Sequence, residues 1–479
     1  MPRQAPELTI ALADRQPGTT IASWLYDELR AAILGGRLPR GARLPATRDL
    51  AARHGISRGV VVGVFEQLCN EGYVTSRVGA GTTVRMQVSE DFLAAAETRA
   101  RPALRQPLPP RARPFCPIEP AIADFPMAIW ARLAARVLAD MTPRSLSRGA
   151  PGGLRPLREA VAGYLGSSRG VACSPDHVVI VSGVQQGLDL VARLVIRPGD
   201  RVWIEDPGYS GAVDVFRNAG AVIAPVRVDD DGLDPADGRR QRARPAAVYL
   251  TPAHQFPLGV ALSLDRRLEL LRWAASTSTV LIEDDYDSEF RYSGRPLPAM
   301  KGLRGGEQVF LLGTFNKTLF PSLRLGYMAV PDAWLDRVLA LRYQTDLYPP
   351  AMSQAVLAGF IDRGHFARHL RRMRERYGAR LAALQRAIQR TLGGALRLPD
   401  IEAGLSTPAY LPRSTPVSSV VERGSRDGLD LWRLDRYALR RRDLHGLLLG
   451  FAAFTERQLR DAVVALARAI DGARASTRI

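Results

Sequence analysis

Lysine is nearly absent from this chain. Of its 66 basic residues only Lys301 and Lys317 are lysine, and arginine supplies all the others. Arginine stays protonated in proteins, whereas lysine can lose its proton and act as a nucleophile. We therefore ask whether Lys317, in the stretch GTFNKTLFPSLRLGY, serves as an amine and not as an ordinary surface charge.

Cysteine is scarce, and long apolar runs are missing. Cys69, Cys116 and Cys173 are scattered and odd in number, which excludes a disulfide framework and a zinc pattern. The sequence contains no run of about 18 apolar residues, the length that a membrane-spanning helix needs. The N-terminus lacks the apolar core of a signal peptide. These absences predict a soluble protein of the cytoplasm.

The length and charge of the chain suggest several domains and a polyanionic partner. At 479 residues, two or three domains are expected. The net charge of +18 favours nucleic acid as a partner. However, residues 20–86, which we interpret below as the DNA-binding unit, hold nine arginines against five acidic residues. Charge therefore supports DNA binding only indirectly.

Residues 20–86 have the pattern of a winged helix-turn-helix. Helical apolar spacing occurs three times, in ASWLYDELRAAILGG, ATRDLAARHG and ISRGVVVGVFEQLCNEG, where Ser57 is the predicted N-cap of the third helix. The segment YVTSRVGAGTTVRM then predicts a hairpin with a glycine-rich tip at 79–81. We expect a flexible N-terminus at 1–19, a Pro/Arg-rich linker at 87–114 and a second large domain at 115–479.

The helix-turn-helix segment closely resembles the GntR family of bacterial transcription regulators. A helix N-terminus carrying a hydroxyl and a guanidinium suits DNA phosphates and base edges. The alternative is that this segment is a protein-interaction module whose arginines are simply solvated. Here Gly59 and Val60 stand where the family usually has a polar pair, so the operator sequence cannot be inferred. The predicted DNA contacts are Arg43, Thr47, Arg48, Ser57, Arg58 and Arg77.

The large domain alternates amphipathic helices with short apolar runs. HVVIVSG, DRVWIED, AAVYLTP, TVLIEDD and QVFLLGT have the composition of strands buried on both faces. This alternation predicts an α/β domain with a mostly parallel sheet.

Four motifs in the large domain carry side chains suited to a phosphate-bearing aromatic cofactor. The turn from Ser182 into VQQGLDLVARL can hold a phosphate at a helix N-terminus. Tyr209 follows a strand and could stack on a ring, or simply pack at the surface. Asp284 and Tyr286 follow another strand, where a carboxylate could bind a pyridine nitrogen; an acidic helix start or a metal site is the alternative.

The fourth motif contains the lysine. Thr314, Asn316 and Arg324 lie beside Lys317 in sequence and could hold a phosphate while the amine bonds an aldehyde. A lone lysine is more often a solvated charge. The tyrosine, acid and arginine motifs, in this order, favour the chemical role and a pyridoxal phosphate (PLP) site.

Taken together, GLRPLREAVAGYLGSSRGV, EDPGY, EDDYDSEFRY and GTFNKTLFPSLRLGY resemble the MocR/GabR subgroup of GntR-type regulators, over about residues 20–465. The resemblance implies a fold-type I aminotransferase-like domain that binds PLP, and a domain-swapped homodimer. It implies that Lys317 is the Schiff-base lysine, Asp284 the pyridine-nitrogen partner, Tyr286 the O3′ partner and Tyr209 the stacking ring. Around the phosphate it places Val184, Gln185, Thr314, Asn316 and Arg324.

Two of the departures from aminotransferases bear on activity. HQFPLG, with His254, Gln255 and Phe256, replaces the NPTG turn, which argues against efficient transamination. The late strand LLLGFA lacks the usual arginine for a substrate carboxylate, leaving Arg433 as a weak effector candidate. The main hypothesis is a PLP-dependent regulator that senses PLP or an amine or amino-acid effector. A working aminotransferase and a cofactor-free dimerisation scaffold are the alternatives.

Overall fold

The computed structural model describes residues 12–15, 17–77, 81–85, 112–145, 147–241, 244–294 and 297–475. The chain separates into two compact units, residues 1–109 and 110–479. Most of the predicted flexible N-terminus and of the predicted linker lies outside the described residues, as do residues 79 and 80 of the predicted wing tip.

The first unit consists of three helices and a two-stranded sheet, as the sequence predicts. The elements are α1 (Ile21–Leu34), α2 (Thr47–Arg53), α3 (Arg58–Asn70), β1 (Val74–Arg77) and β2 (Gly81–Val84). The two strands are antiparallel, with Val74 opposite Val84. Leu25 and Leu29 of α1 are completely buried, together with Val61 and Leu68 of α3. Burial of each such side chain contributes about 1.5–3 kcal/mol, so this contact holds the unit together.

In the second unit two helices precede the main sheet, and further helices connect and follow the strands. Its helices are α4 (Met127–Ala139), α5 (Arg155–Arg169), α6 (Val184–Val195), α7 (Ser210–Asn218), α8 (Pro235–Arg240), α9 (Leu264–Thr277), α10 (Leu335–Asp346), α11 (Ala351–Asp362), α12 (His365–Thr391), α13 (Val417–Arg426) and α14 (Glu456–Ala475).

An eight-stranded sheet forms the centre of the second unit. Its strands are β3 (Val178–Val181), β4 (Arg201–Asp206), β5 (Val222–Asp229), β6 (Gly232–Leu233), β7 (Ala247–Leu250), β8 (Val280–Asp285), β9 (Val309–Thr314) and β10 (Gly326–Ala329). The order is β3-β10-β9-β8-β7-β4-β5-β6, and only β10 and β6 run antiparallel to their neighbours. The predicted α/β fold with a mostly parallel sheet is confirmed.

The parallel strands explain why polar side chains meet at one place. All five apolar runs singled out in the sequence form strands β3, β4, β7, β8 and β9, and these strands are almost entirely buried. Helices cover both faces of such a sheet, so ligands enter at the carboxyl ends of its strands. The residues that follow β4, β8 and β9 are therefore expected to face a common crevice.

A small antiparallel sheet follows, with the order β11 (Ser406–Tyr410), β13 (Gly446–Gly450) and β12 (Trp432–Arg433). The start of the unit is anchored to it, because Phe115 forms an antiparallel bridge with Gly450. Three residues on, Ile118 has a φ of 59° and its N–H donates to Ser406 Oγ over 2.9 Å. A β-branched residue rarely adopts this left-handed conformation, so the segment is held in place by its contacts.

No helix within the described ranges is both long enough and apolar enough to cross a membrane.

Candidate functional site

The predicted DNA-contacting residues cluster where α2 and α3 begin. Ser57 caps α3, since its Oγ accepts a hydrogen bond from the N–H of Val60 over 3.3 Å. Arg58, the first residue of α3, donates from Nε to Oγ1 of Thr47, the first residue of α2, over 3.4 Å. The two helix N-termini therefore lie side by side with a hydroxyl, a guanidinium and free N–H groups between them, which suits a phosphate backbone.

The remaining predicted DNA contacts lie on the exposed surface of the same unit. Arg43 forms an antiparallel backbone bridge with Thr83 of β2. Its guanidinium lies against Gly81, where an added Cβ would be 2.7 Å from the Nε of Arg43. Arg48 and Arg77 are exposed on α2 and at the end of β1. None of the predicted arginines forms an ion pair with a residue that the structure describes. Their positive charge is therefore available to a polyanion.

A cavity of about 240 Å³ lies in the second unit at the carboxyl ends of the parallel strands. All nine residues predicted to bind the cofactor line it: Val184, Gln185, Tyr209, Asp284, Tyr286, Thr314, Asn316, Lys317 and Arg324. Ile118, Tyr249, Thr251, Phe256 and Pro321 complete the lining.

One end of the cavity is built from hydrogen-bond donors. Gly183, with a φ of 139°, precedes α6, and the N–H groups of Val184 and Gln185 in the first turn have no carbonyl acceptor within the helix. A Cβ at Gly183 would lie 3.3 Å from Asn316 Nδ2 and 3.7 Å from the Arg324 guanidinium. The close approach of these groups makes an anion-binding corner at a helix N-terminus.

Asp284 occupies the cavity at the end of β8 with one oxygen unsatisfied. Its Oδ2 accepts a 2.6 Å hydrogen bond from the hydroxyl of Tyr249, whereas Oδ1 is buried without a partner among the described residues. Burial raises the pKa of Asp284 to about 7, and the hydrogen bond from Tyr249 only partly opposes that rise. The neighbouring Asp285 is instead paired with Arg169 at 2.7 Å.

Lys317 also lines the cavity. It forms no hydrogen bond or ion pair with any described residue. Burial lowers the pKa of Lys317, and the charges of Glu119, Cys116 and Asp287 only partly oppose this effect. A larger fraction of the amine is consequently unprotonated near neutral pH than for a solvated lysine, which favours nucleophilic behaviour.

An aromatic wall closes the side of the cavity. The hydroxyl of Tyr209 accepts a 3.0 Å hydrogen bond from Gln185 Nε2, which fixes the ring. Phe256 meets the rings of Tyr209 and Tyr286 edge to face, both at 6.2 Å between centroids. A planar ligand could therefore pack between this wall and the strand ends.

The structure does not bring Arg433 to the cavity. Its Nε donates to Asp435 Oδ1 over 2.9 Å, and the second nitrogen contacts the other oxygen of the same carboxylate. Arg433 is therefore already neutralised by an acid two residues away, and it is absent from the cavity lining.

Sequence reasoning missed Tyr249, Thr251 and Ile118 as cavity residues. The first two belong to the run AAVYLTP, Tyr249 near the end of β7 and Thr251 just after it, so their place at a strand end offered a signal. For Ile118 no local signal exists, because the bridge between Phe115 and Gly450 brings this segment to the site from far along the chain.

The residues present fit pyridoxal phosphate. The donor corner beside α6 suits a phosphate dianion, and the unpartnered Oδ1 of Asp284 suits a pyridinium N–H. The amine of Lys317, which has no partner among the described residues, lines the same cavity, and so do the rings of Tyr209, Phe256 and Tyr286.

Two known protein families match this chain, one in each of its two units. The family of aminotransferases of class I and II matches residues 124–405, and the bacterial regulatory proteins of the gntR family match residues 21–84. The probable rhizopine catabolism regulatory protein MocR of Rhizobium meliloti is 36% identical over 95% of this chain and 94% of its own length. The pyridoxine biosynthesis transcriptional regulator PdxR of Corynebacterium glutamicum is 32% identical, over 95% of this chain and 96% of its own.

A solved structure shows the same architecture for the second unit. LysN, an α-aminoadipate aminotransferase of Thermus thermophilus complexed with N-(5′-phosphopyridoxyl)-L-leucine, is similar with a TM-score of 0.70 and 27% identity. The similarity covers 76% of this chain and 92% of that one.

Fold and site thus define a DNA-binding transcription regulator whose second domain has the fold-type I aminotransferase architecture. The identity shared with named regulators over nearly the whole chain specifies the group further. The chain belongs to the MocR/GabR subgroup of the gntR family, and its cofactor is pyridoxal phosphate.

The substitution Asp284→Asn should weaken PLP binding but stabilise the apoprotein at high pH. Asp284 has a raised pKa in the folded state, so its stabilising contribution is complete below about pH 4 and is lost as the pH rises to about 7. Asparagine has no such titration. The melting temperature of the apo variant, relative to wild type, should therefore increase between pH 4 and pH 8; a constant difference would contradict the buried-acid assignment.

The substitution Arg58→Ala should weaken DNA binding about tenfold, because it removes a guanidinium from the α2–α3 junction. Fluorescence anisotropy with a duplex selected by the wild-type chain from a random pool would measure this. Arg53→Ala, at the opposite end of α2, is the matched control and should bind normally. PLP loading should be equal in all three proteins, and a parallel loss of DNA and PLP binding would indicate misfolding instead.

Proposed function

We propose that Lys317 is the residue that bonds PLP in this regulator, and that the large unit uses this bond to sense an amine. The observation that carries the proposal is the state of the amine: Lys317 is half-buried and lines the cavity, has no partner among the described residues and has a lowered pKa. A lysine kept for its charge alone would gain from an acidic partner, whereas an amine that must react is better left unpaired.

The other residues are assigned by their chemistry. The α6 N-terminus, Asn316 and Arg324 would hold the phosphate, while Asp284 would accept the pyridinium N–H. Tyr209 and Phe256 would flank the ring. When bound, PLP supplies an aldehyde that exchanges between amines and absorbs visible light.

The cavity favours an amine effector over an amino acid. Among the described lining residues, only Lys317 and Arg324 are cationic, and both are assigned to the cofactor. Arg433, the remaining candidate for a carboxylate, is paired with Asp435. The half-buried Glu119 contributes more than any other charge to holding a proton on Lys317. An effector that brings a positive charge without a carboxylate therefore suits these surroundings better.

Efficient transamination of amino acids is the second candidate function, favoured by the similarity to LysN. The same absence of a free guanidinium among the described lining residues argues against it. In addition, the apolar ring of Phe256 lies in the HQFPLG turn, where aminotransferases carry the NPTG asparagine.

A domain-swapped homodimer is part of the proposal. Several large apolar side chains of the second unit are exposed in the isolated chain, and burial against a second copy would remove them from water. They are Ile122, Met127, Leu138, Tyr343, Leu347 and Met352.

An absorption spectrum with added PLP tests the role of Lys317. The wild-type protein should develop a visible band that Lys317→Ala lacks, and added amines should shift the wild-type band. Lys301→Met is the matched control, because Lys301 is the other lysine, is also half-buried, and donates to the Val309 carbonyl outside the cavity lining. Equal bands in wild type and Lys317→Ala would refute the assignment.

A further inference from the structure

His254 forms a hydrogen-bonded chain that reaches the cavity from behind. Its Nδ1 lies 3.0 and 3.1 Å from the two carboxylate oxygens of Asp287 and 3.0 Å from the hydroxyl of Tyr286. His254 and Asp287 are buried, whereas Tyr286 lines the cavity. The three side chains therefore connect a buried acid to the cavity through one histidine nitrogen.

The neighbours of His254 assign its tautomer. A proton on Nδ1 can be donated to Asp287 and to the oxygen of Tyr286, whereas a bare Nδ1 would place its lone pair against a carboxylate. The other nitrogen, Nε2, is buried and has no partner among the described residues. A proton there would be an unsatisfied buried donor, which is costly. Of the two neutral tautomers, the one with its proton on Nδ1 is thus favoured.

This tautomer determines where the proton of Tyr286 points. Burial, and then the charges of Asp287, Asp284, Glu205 and Asp285, hold the pKa of Tyr286 well above its ordinary value, so the phenol keeps its proton. Because a protonated Nδ1 has no free lone pair, the hydroxyl of Tyr286 cannot donate a hydrogen bond to that nitrogen. Its proton is left for an acceptor in the cavity.

Two glycines keep the imidazole ring in this orientation. Gly259 and Gly404 have φ values of 78° and 99°, and a Cβ at these positions would lie 3.2 Å from Nε2 and 2.0 Å from Cε1 of His254. The backbone therefore closes around the ring and leaves it little room to move.

We propose that His254, oriented by Asp287, is a positioning residue that keeps the Tyr286 hydroxyl donating into the cavity. Its acceptor there is the phenolic oxygen of PLP, so this inference rests on the proposed cofactor site. The histidine of the HQFPLG turn thereby acts through Tyr286, in a turn where aminotransferases carry an asparagine.

Two amide substitutions at His254 distinguish the effect of the donor's position from the effect of side-chain packing. His254→Asn places an amide N–H near the position of Nδ1, whereas His254→Gln places it near that of Nε2. The readouts are the PLP dissociation constant by calorimetry and the midpoint pH of the visible band. His254→Asn should match wild type. His254→Gln should bind PLP about tenfold more weakly, and its midpoint should rise by about one pH unit, because an oxygen without a donor holds a nearby proton more tightly.

A double-mutant cycle with Tyr286→Phe completes the test. Without the hydroxyl, His254→Gln should have no further effect on the midpoint, because the histidine acts only through Tyr286. Asp287→Asn removes the group that fixes the tautomer, so it should shift the midpoint as His254→Gln does. It replaces His254→Gln in the test if that variant fails to fold.

The outcomes distinguish this inference from the cofactor site itself. A wild-type band with an unchanged midpoint in both His254→Gln and Asp287→Asn would overturn the role of His254 alone. Equal effects of the asparagine and glutamine variants would overturn it as well, since they would indicate packing. A wild-type protein without any visible band would instead refute the proposed function.

Discussion

The buried carboxyl group of Asp284 is the constraint on which the site depends. It lies at the end of the central strand β8, where it is buried and Tyr249 satisfies only one of its oxygens. An isolated buried acid is costly unless it is protonated or paired. The apoprotein therefore carries a cost that a ligand with a cationic N–H removes, and this cost links ligand binding to the stability of the whole sheet.

The rest of the cavity follows from the same sheet. Parallel strands deliver Asp284, Lys317 and Tyr209 to one edge, and the turn from β3 into α6 adds a donor-rich helix end. The cavity lining contains both an unsatisfied acid, Asp284, and a guanidinium, Arg324, which lies beside the start of α6. In a chain that uses arginine almost everywhere, Lys317 also lines this cavity without a partner among the described residues, and we propose that it is there for its amine.

Much of this arrangement could be predicted from local sequence. Apolar runs located the strands, and polar residues directly after them, such as Asp284 and Lys317, were identified because parallel strands end together. Tyr249 was missed because its partner across the sheet depends on strand register, which a single run does not specify. Ile118 depends on a bridge between residues more than 300 positions apart. Arg433 was proposed from its place in the chain, but Asp435 occupies its guanidinium, and such pairing is visible only in three dimensions.

The measurement that tests the central claim most directly is the affinity of the full chain for its selected DNA duplex. It would be made in three states: without PLP, with PLP, and with PLP plus an amine that shifts the visible band. Lys317→Ala would be measured in parallel. We predict that at least two wild-type states differ roughly fivefold or more, whereas the variant binds DNA equally in all three. Identical wild-type affinities, with PLP demonstrably bound, would contradict the claim that the large unit controls the DNA-binding unit through Lys317.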